Sequence, residues 1–254
     1  MGILADILVK KRAELPTLRA RKLPAAPSFV PPVQLKRSPG EPLHLICEIK
    51  NKSPSAGVLS THLSITERAR QYEKSGASMI SVLCDGPFFD GSFEHLLKAR
   101  EGCALPLLCK EFVVDECQLD AAQAYGASAV LLIARCLSEE RLAQLLSEAT
   151  LRGLCPVVEV FTEIEALQSI DAGASFVGVN ARDLDTLEMN AERAAKIIDL
   201  FPSHMTVAHL SGIKSTQDAQ RVAQGRADAA LIGEVLMRQD DPGPLLESLV
   251  EAAR

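Results

Sequence analysis

Apolar residues along this chain fall into two arrangements: short unbroken runs, and longer stretches in which they recur every three or four positions. The first reads as buried strands and the second as amphipathic helices. Leu43, Leu45, Ile46, Cys47 and Ile49 form the first run, His44 to Lys50. Seven more follow: Ser78 to Cys84, Pro106 to Glu111, Ser128 to Ala134, Pro156 to Phe161, Ser175 to Asn180, Met205 to Leu210 and Ala229 to Gly233. Helical stretches such as Ile65 to Ser75, Glu139 to Arg152 and Ala191 to Phe201 lie between them. Ahead of the first strand, Ile3, Leu4, Ile7 and Leu8 recur at helical spacing and are followed by Lys10, Lys11 and Arg12, which predicts a helix ending near Pro16. Six prolines between Leu23 and Pro42 then predict an extended connector.

A repeat punctuates the pattern. Gly76-Ala77-Ser78, Gly126-Ala127-Ser128 and Gly173-Ala174-Ser175 recur at intervals of about fifty residues, and Gly225-Arg226-Ala227-Asp228 supplies a degenerate fourth copy. Each closes a helical stretch and opens a strand, as a glycine that ends a helix with positive φ would do. Eight buried strands alternating with helices require parallel pairing through right-handed crossovers. Both an open doubly wound sheet and a closed (β/α)8 TIM barrel satisfy that demand. Eight units in roughly 210 residues favour the barrel, and no G-x-G-x-x-G motif opens a helix. The expectation is one α/β domain over residues 1–254: residues 1–43 form an N-terminal helix and proline-rich connector, and residues 44–254 a TIM barrel.

Composition narrows the function. An apolar content of 47% over 254 residues fills a large core, and a net charge of −6 with scattered basic residues argues against nucleic acid and against an anionic membrane surface. The apolar part of the N-terminal segment is short and broken by Asp6, so it is neither a signal peptide nor a membrane span. Cysteines 47, 84, 103, 109, 117, 136 and 155 show no C-x-x-C pair or zinc-finger spacing. They read as buried thiols of a reducing cytoplasm, with no metal site.

In such a barrel the chemistry belongs at the C-terminal ends of the strands. Glu48 and Lys50 stand there on strand 1, two residues apart and so on one face. One such pair alone is no more than a salt bridge, but the turn residues Ser53-Pro54-Ser55-Ala56-Gly57 follow it, so it faces a loop of small residues. The other ends carry Asp85 with Phe88 and Phe89, Lys110-Glu111-Phe112, Arg135, Glu159, Asn180 with Arg182, Ser211-Gly212 and Gly233-Glu234. Lys110 and Glu159 interrupt otherwise apolar strands. Burying either unpaired costs several kcal/mol, so they need each other or a ligand. The small residues ending strands 7 and 8 fit the place where barrels bind phosphate through backbone N–H groups. With cations on strands 1, 3 and 6, a small anionic phosphorylated substrate is the expected ligand.

Six stretches together resemble the indole-3-glycerol phosphate synthase family of tryptophan biosynthesis: Glu48 to Ser55, Phe88 to Ser92, Leu108 to Phe112, Val158 to Val160, Gly178 to Leu184 and Leu231 to Met237. The resemblance implies a cytoplasmic carboxy-lyase that needs no cofactor. It would close the ring of 1-(2-carboxyphenylamino)-1-deoxyribulose 5-phosphate with loss of carbon dioxide and water. It further implies Lys110 as general acid on the carbonyl oxygen, Glu159 and Glu48 as base and stabiliser of the cationic intermediate, and Lys50 paired with Glu48 and touching substrate. Asn180 and Arg182 would bind hydroxyl and carboxylate groups, Phe89 and Phe112 would wall the aromatic ring, and Ser53 would orient it. Ser211, Gly212, Gly233 and Glu234 map onto the phosphate cradle. A monomer fits, and docking to other enzymes of the pathway is left open.

One position departs from the family pattern. Strand 7 ends Val207-Ala208-His209-Leu210 where the family places an acid, so Leu210 stands in the substrate-binding wall and alternation turns His209 to the helix side. Two other classes fit the same rim: a phosphate-binding barrel lyase using Lys110 as a Schiff-base nucleophile, and a barrel whose catalysis is weakened by Leu210.

Overall fold

The computed structural model describes residues 2–53, 57–59 and 62–254, with the side chain of Ser53 outside that description. Its eight main strands are β1 (His44–Ile49), β2 (Met79–Leu83), β3 (Leu107–Lys110), β4 (Ala129–Ile133), β5 (Cys155–Val160), β6 (Phe176–Asn180), β7 (Thr206–Leu210) and β8 (Ala229–Ile232). Each pairs in parallel with its neighbour in sequence, and β8 pairs back onto β1, with Ile46 opposite Leu231, so the sheet closes into the expected TIM barrel.

Alternation along every strand builds two cores. Ile46, Met79, Leu108, Leu131, Val157 and Leu231 point inward, while Cys47, Ile80, Cys109, Val130, Val158 and Ile232 pack under the helices. Strands buried on both faces are why the sequence shows continuous apolar runs. Four helices begin with reciprocal caps, Ser64 with Glu67, Asp115 with Gln118, Thr162 with Glu165 and Ser215 with Asp218, so each helix entry from the rim is fixed by its own side chains. Gly76, Gly126 and Gly173 adopt φ of +95°, +84° and +84° and turn the chain into the next strand. The fourth copy differs, because Gly225 is not among the positive-φ glycines and its helix ends through Gln224 at φ −71°.

The N-terminal helix (Ile3–Ala20) runs through Pro16 instead of stopping there. An interior proline costs a helix about 3 kcal/mol, and tertiary anchors beyond it offset that cost. Leu18 packs on the outer core, Arg19 meets Asp115 at 2.5 Å, and Arg21 pairs with Glu94. The helix lies across the C-terminal mouth, where Leu4 and Ile7 join the inner core. The connector then reaches the opposite end. Leu35 packs with the inner core, and Lys36 Nζ donates to buried Asp228 at 3.0 Å and to the Met205 carbonyl at 3.0 Å. Among the described residues, no helix is long and apolar enough to cross a membrane.

Candidate active site

A cavity of about 360 Å3 opens at the C-terminal ends of the strands beneath the N-terminal helix. Glu48, Lys50, Lys110, Glu159, Asn180 and Arg182 line it, as do Phe89, Phe112, Leu210, Ser211, Gly212, Gly233 and Glu234. The residues that the family resemblance assigns to the site therefore line one cavity, with one exception. Ser53 lies in a short antiparallel ribbon (Lys52–Ser53 with Gly57–Val58), but its side chain and residues Pro54, Ser55 and Ala56 lie outside the described residues.

Two ion pairs face each other across the cavity. Lys50 Nζ donates to Glu48 Oε1 at 2.5 Å, and Lys110 Nζ donates to Glu159 Oε2 at 3.0 Å. The other oxygen of Glu159 accepts from Asn180 Nδ2 at 2.9 Å, and Asn180 Oδ1 accepts from the Arg182 backbone N–H at 2.9 Å. The Asn180 amide is thereby oriented at both ends, since only its oxygen can face the Arg182 donor. Burial pulls the Lys110 ammonium toward neutrality, but Glu159 and then Glu48 outweigh it and hold its pKa above the ordinary value. A lysine held as ammonium is a proton donor and a poor amine nucleophile, which counts against the Schiff-base reading.

Phe89 and Phe112 stand with ring centroids 6.0 Å apart and planes at 32°, forming an aromatic wall. Leu210 points inward, packed with the inner core, and a Cβ placed on Gly178 would fall 2.6 Å from Leu210 Cδ1. His209 is buried on the helix side, where burial lowers its pKa and keeps the ring neutral. At the end of β7, Ser211 and Gly212 take φ of +69° and +94°. The Glu234 carboxylate turns to Arg238, 2.9 Å away, leaving its backbone N–H at the start of the short helix Glu234–Met237. Gly233 has a second reason to be glycine, because a Cβ there would lie 2.6 Å from Glu48 Oε1.

Several neighbours of the site were not anticipated from sequence. Ile3, Leu4 and Ile7 of the N-terminal helix and Leu184 and Leu187 of the loop after β6 line the cavity. Glu111, next to Lys110, points the other way, into a buried cluster where Lys11 Nζ lies 3.1 Å from Glu111 Oε1, 2.8 Å from Asp85 Oδ1 and 2.9 Å from Glu14 Oε2. Burial, aided by Asp85, pushes the Glu111 carboxyl up to about 7 although Lys11 pulls it down. Arg135, which sequence places at the rim, turns outward to Glu165 at 3.0 Å and Asp183 at 3.5 Å. Among the described residues, no group of three or more His, Cys, Asp or Glu side chains is set to hold a metal ion.

Comparison with known proteins agrees with this geometry. The family model for indole-3-glycerol phosphate synthase matches residues 6–249. The indole-3-glycerol phosphate synthase of an Exiguobacterium species is 39% identical over 98% of this chain and 96% of its own length. That of Mycobacterium ulcerans is 38% identical over 99% of this chain and 92% of its own. Among solved structures, a 3-hexulose-6-phosphate synthase superposes with a TM-score of 0.67 at 15% identity, covering 84% of this chain and all (100%) of that one. Thiamine phosphate pyrophosphorylase from Pyrococcus furiosus gives 0.64 at 18% identity, covering 83% and 95%. The structural likenesses establish the barrel, and the sequence matches over almost the whole chain establish that it belongs to the indole-3-glycerol phosphate synthase family.

Proposed function

We propose that this cavity converts 1-(2-carboxyphenylamino)-1-deoxyribulose 5-phosphate to indole-3-glycerol phosphate, in tryptophan biosynthesis, by ring closure, decarboxylation and dehydration without a cofactor. The observation that carries the reading is the Lys110–Glu159–Asn180 chain facing the Glu48–Lys50 pair in one cavity. Ring closure requires the C2 carbonyl oxygen to gain a proton while the aromatic carbon bearing the carboxylate attacks, and Lys110 is the ammonium available for it. Glu159 and Glu48 stabilise the cationic intermediate, and one of them accepts the proton lost from carbon as the ring becomes aromatic and returns it to the departing hydroxyl, which leaves as water. Lys50 contacts the substrate, Asn180 binds a hydroxyl, and Arg182 binds the carboxylate until it leaves as carbon dioxide. Phe89, Phe112 and Leu210 wall the aromatic ring, and Ser53 helps to orient it. Ser211, Gly212, Gly233 and Glu234 hold the phosphate through backbone donors. A cytoplasmic location belongs to the same proposal and rests on the family reading.

The test uses the carboxyphenylamino-deoxyribulose phosphate and follows indole fluorescence, against a low background because the chain contains no tryptophan. The wild-type chain should produce the signal, and absence of turnover refutes the reading. Lys110→Met keeps the apolar stem and removes the acid, so kcat should fall roughly 100-fold or more while KM changes less. A variant with near-normal kcat removes Lys110 from the acid role.

A further inference from the structure

Outside the cavity lining, the Phe161 ring is met by two guanidinium groups. Arg135 Cζ is 4.6 Å from the ring centroid and Arg193 Cζ is 3.3 Å from it. Arg193 belongs to the first turn of the helix Ala191–Ile198, where its backbone N–H donates to the Asn190 cap at 2.9 Å. Its side chain reaches back, and Nη2 donates to the carbonyl of Asn180 at 2.8 Å. Asn180 is the last residue of β6, and its side chain holds Glu159 on the cavity side.

Arg193 is a costly way to satisfy one carbonyl. Burial and, less, the nearby Arg135 lower its pKa against the pull of Asp183, and its Nε is buried with no hydrogen-bond partner among the described residues. A second cation close by and an unmet buried donor each carry a penalty. A water molecule or a small polar side chain would serve the carbonyl without either. What the arginine adds is rigidity: a planar guanidinium held over an aromatic ring loses freedom to tilt and turn, so the donor that meets the carbonyl stays in place. Arg135 extends the brace, tying Glu165, which accepts from the Phe161 N–H at 2.6 Å, to Asp183 in the loop after β6.

We propose that Arg193, held over the Phe161 ring, is a positioning residue for this site, helping to fix the Asn180 peptide and through it the Glu159 carboxylate that faces Lys110. The inference rests on the proposed acid role of Lys110 only for its kinetic consequence. The Asn180 peptide is held at its N–H side by Ala181, which donates to the Leu210 carbonyl at 2.9 Å, and at its carbonyl by Arg193; a tilt of that peptide disturbs the hydrogen bonds from Asn180 Nδ2 to Glu159 and from the Arg182 N–H to Asn180 Oδ1. Glu159 then has Lys110 as its remaining partner on a side chain free to swing. Arg193 does not line the cavity, so its loss acts through Asn180 and not on substrate contacts.

The experiment follows Lys110 directly, by titrating the lysine Cε signals of 13C-labelled protein, with Lys110→Met supplying the assignment. In Arg193→Met the Lys110 midpoint should fall by about half a pH unit or more, because Glu159 is the first of the two acids that raise it. Turnover should fall about tenfold in kcat with KM nearly unchanged, as a small misplacement of a catalytic group would produce. Phe161→Leu removes the platform and should shift both readouts the same way by less, and it carries the test if Arg193→Met does not fold. A lowered Tm with the Lys110 midpoint and kcat per folded molecule unchanged overturns the proposal. The titration decides it even if the wild-type chain turns nothing over, an outcome that would instead overturn the proposed function.

Discussion

Lys11→Met should destabilise the protein in a pH-dependent way whose direction follows from the buried cluster. Asp85 and Glu111 are 0% and 2% exposed, and Lys11 is the cation between them. Removing one member of a buried ion pair costs about 3–5 kcal/mol when the partner stays charged. Glu111 has an escape, because its carboxyl is already raised from 4.5 to about 7. A carboxyl whose folded pKa exceeds its unfolded one contributes stability that is fully present below pH 4.5 and lost as pH rises through about 7. At 1.36 kcal/mol per pKa unit, the wild-type loss over that window is about 3 kcal/mol. The Lys11 pKa is raised as well, above 10.5, so its contribution persists across the whole window and is lost only at higher pH.

Without Lys11 the Glu111 pKa climbs further, and the decline in stability continues to higher pH. At pH 5.5, where Glu111 is largely protonated in both, variant and wild type should therefore differ only by the pairing that Lys11 makes with Asp85 and Glu14. At pH 8.5, about 1.5 pH units above the wild-type Glu111 pKa, the gap should be wider by up to about 2 kcal/mol, or about 4–8 °C in Tm for a chain of this size. Thermal unfolding at the two pH values measures it. Lys11→Met/Glu111→Gln should recover the part of the loss that appears between pH 5.5 and pH 8.5. Equal losses at both pH values, or no rescue by the double variant, would show that Glu111 is not the group that Lys11 compensates.

Two further predictions concern the rim. Gly233→Ala should lower kcat about tenfold, because the new Cβ would sit 2.6 Å from Glu48 Oε1 and must push that carboxylate off Lys50, whereas Gly212→Ala meets only Met189 Cε and should act mainly on KM. Steady-state kinetics of the pair tests this, and a pure KM effect at 233 would return that glycine to a phosphate role alone. Leu210→Glu should raise kcat for dehydration at some cost in Tm, and His209→Ala should leave kcat nearly unchanged because its ring faces the helices. A large kcat loss in His209→Ala with no gain in Leu210→Glu would contradict the inward orientation of Leu210.

The barrel could be read from sequence because strands buried on both faces leave unbroken apolar runs, and because three Gly-Ala-Ser repeats mark where helices stop. Glu48, Lys110 and Glu159 could be read for the same reason, as charges in runs that exclude charge. What could not be read depends on contacts distant in sequence. Lys11 sits in the stretch Lys10-Lys11-Arg12, which looks like a solvated basic face, yet its partners Asp85 and Glu111 bury it. Pro16 signals a helix end locally, and ion pairs to Asp115 and Glu94 overrule it. Glu111 looked like a rim charge beside Lys110, but strand alternation sends neighbours to opposite faces. Arg193 has the spacing of an ordinary surface residue, and only the fold sets it on Phe161.

The two cavity carboxylates are held differently, and this bears on how they divide the work under the proposed mechanism. Glu159 has both oxygens engaged, one by Lys110 and one by Asn180, so a substrate oxygen that takes the Lys110 proton must compete with an ion pair already made. Glu48 has one oxygen on Lys50, and its other oxygen has no hydrogen-bond partner among the described residues. The missing side chain at Gly233 leaves that carboxylate its place beside Lys50, since a Cβ there would crowd Glu48 Oε1. Leu210 sharpens the contrast, since the inward position on β7 supplies an apolar wall and no third carboxylate. A proton leaving the substrate while Lys110 and Glu159 are still paired therefore has Glu48 as its ready acceptor. Glu159 becomes available only after Lys110 has given up its proton to the carbonyl oxygen and the ion pair has lost its attraction. On this geometry the order of the steps, more than any difference in burial, decides which carboxylate acts as the base.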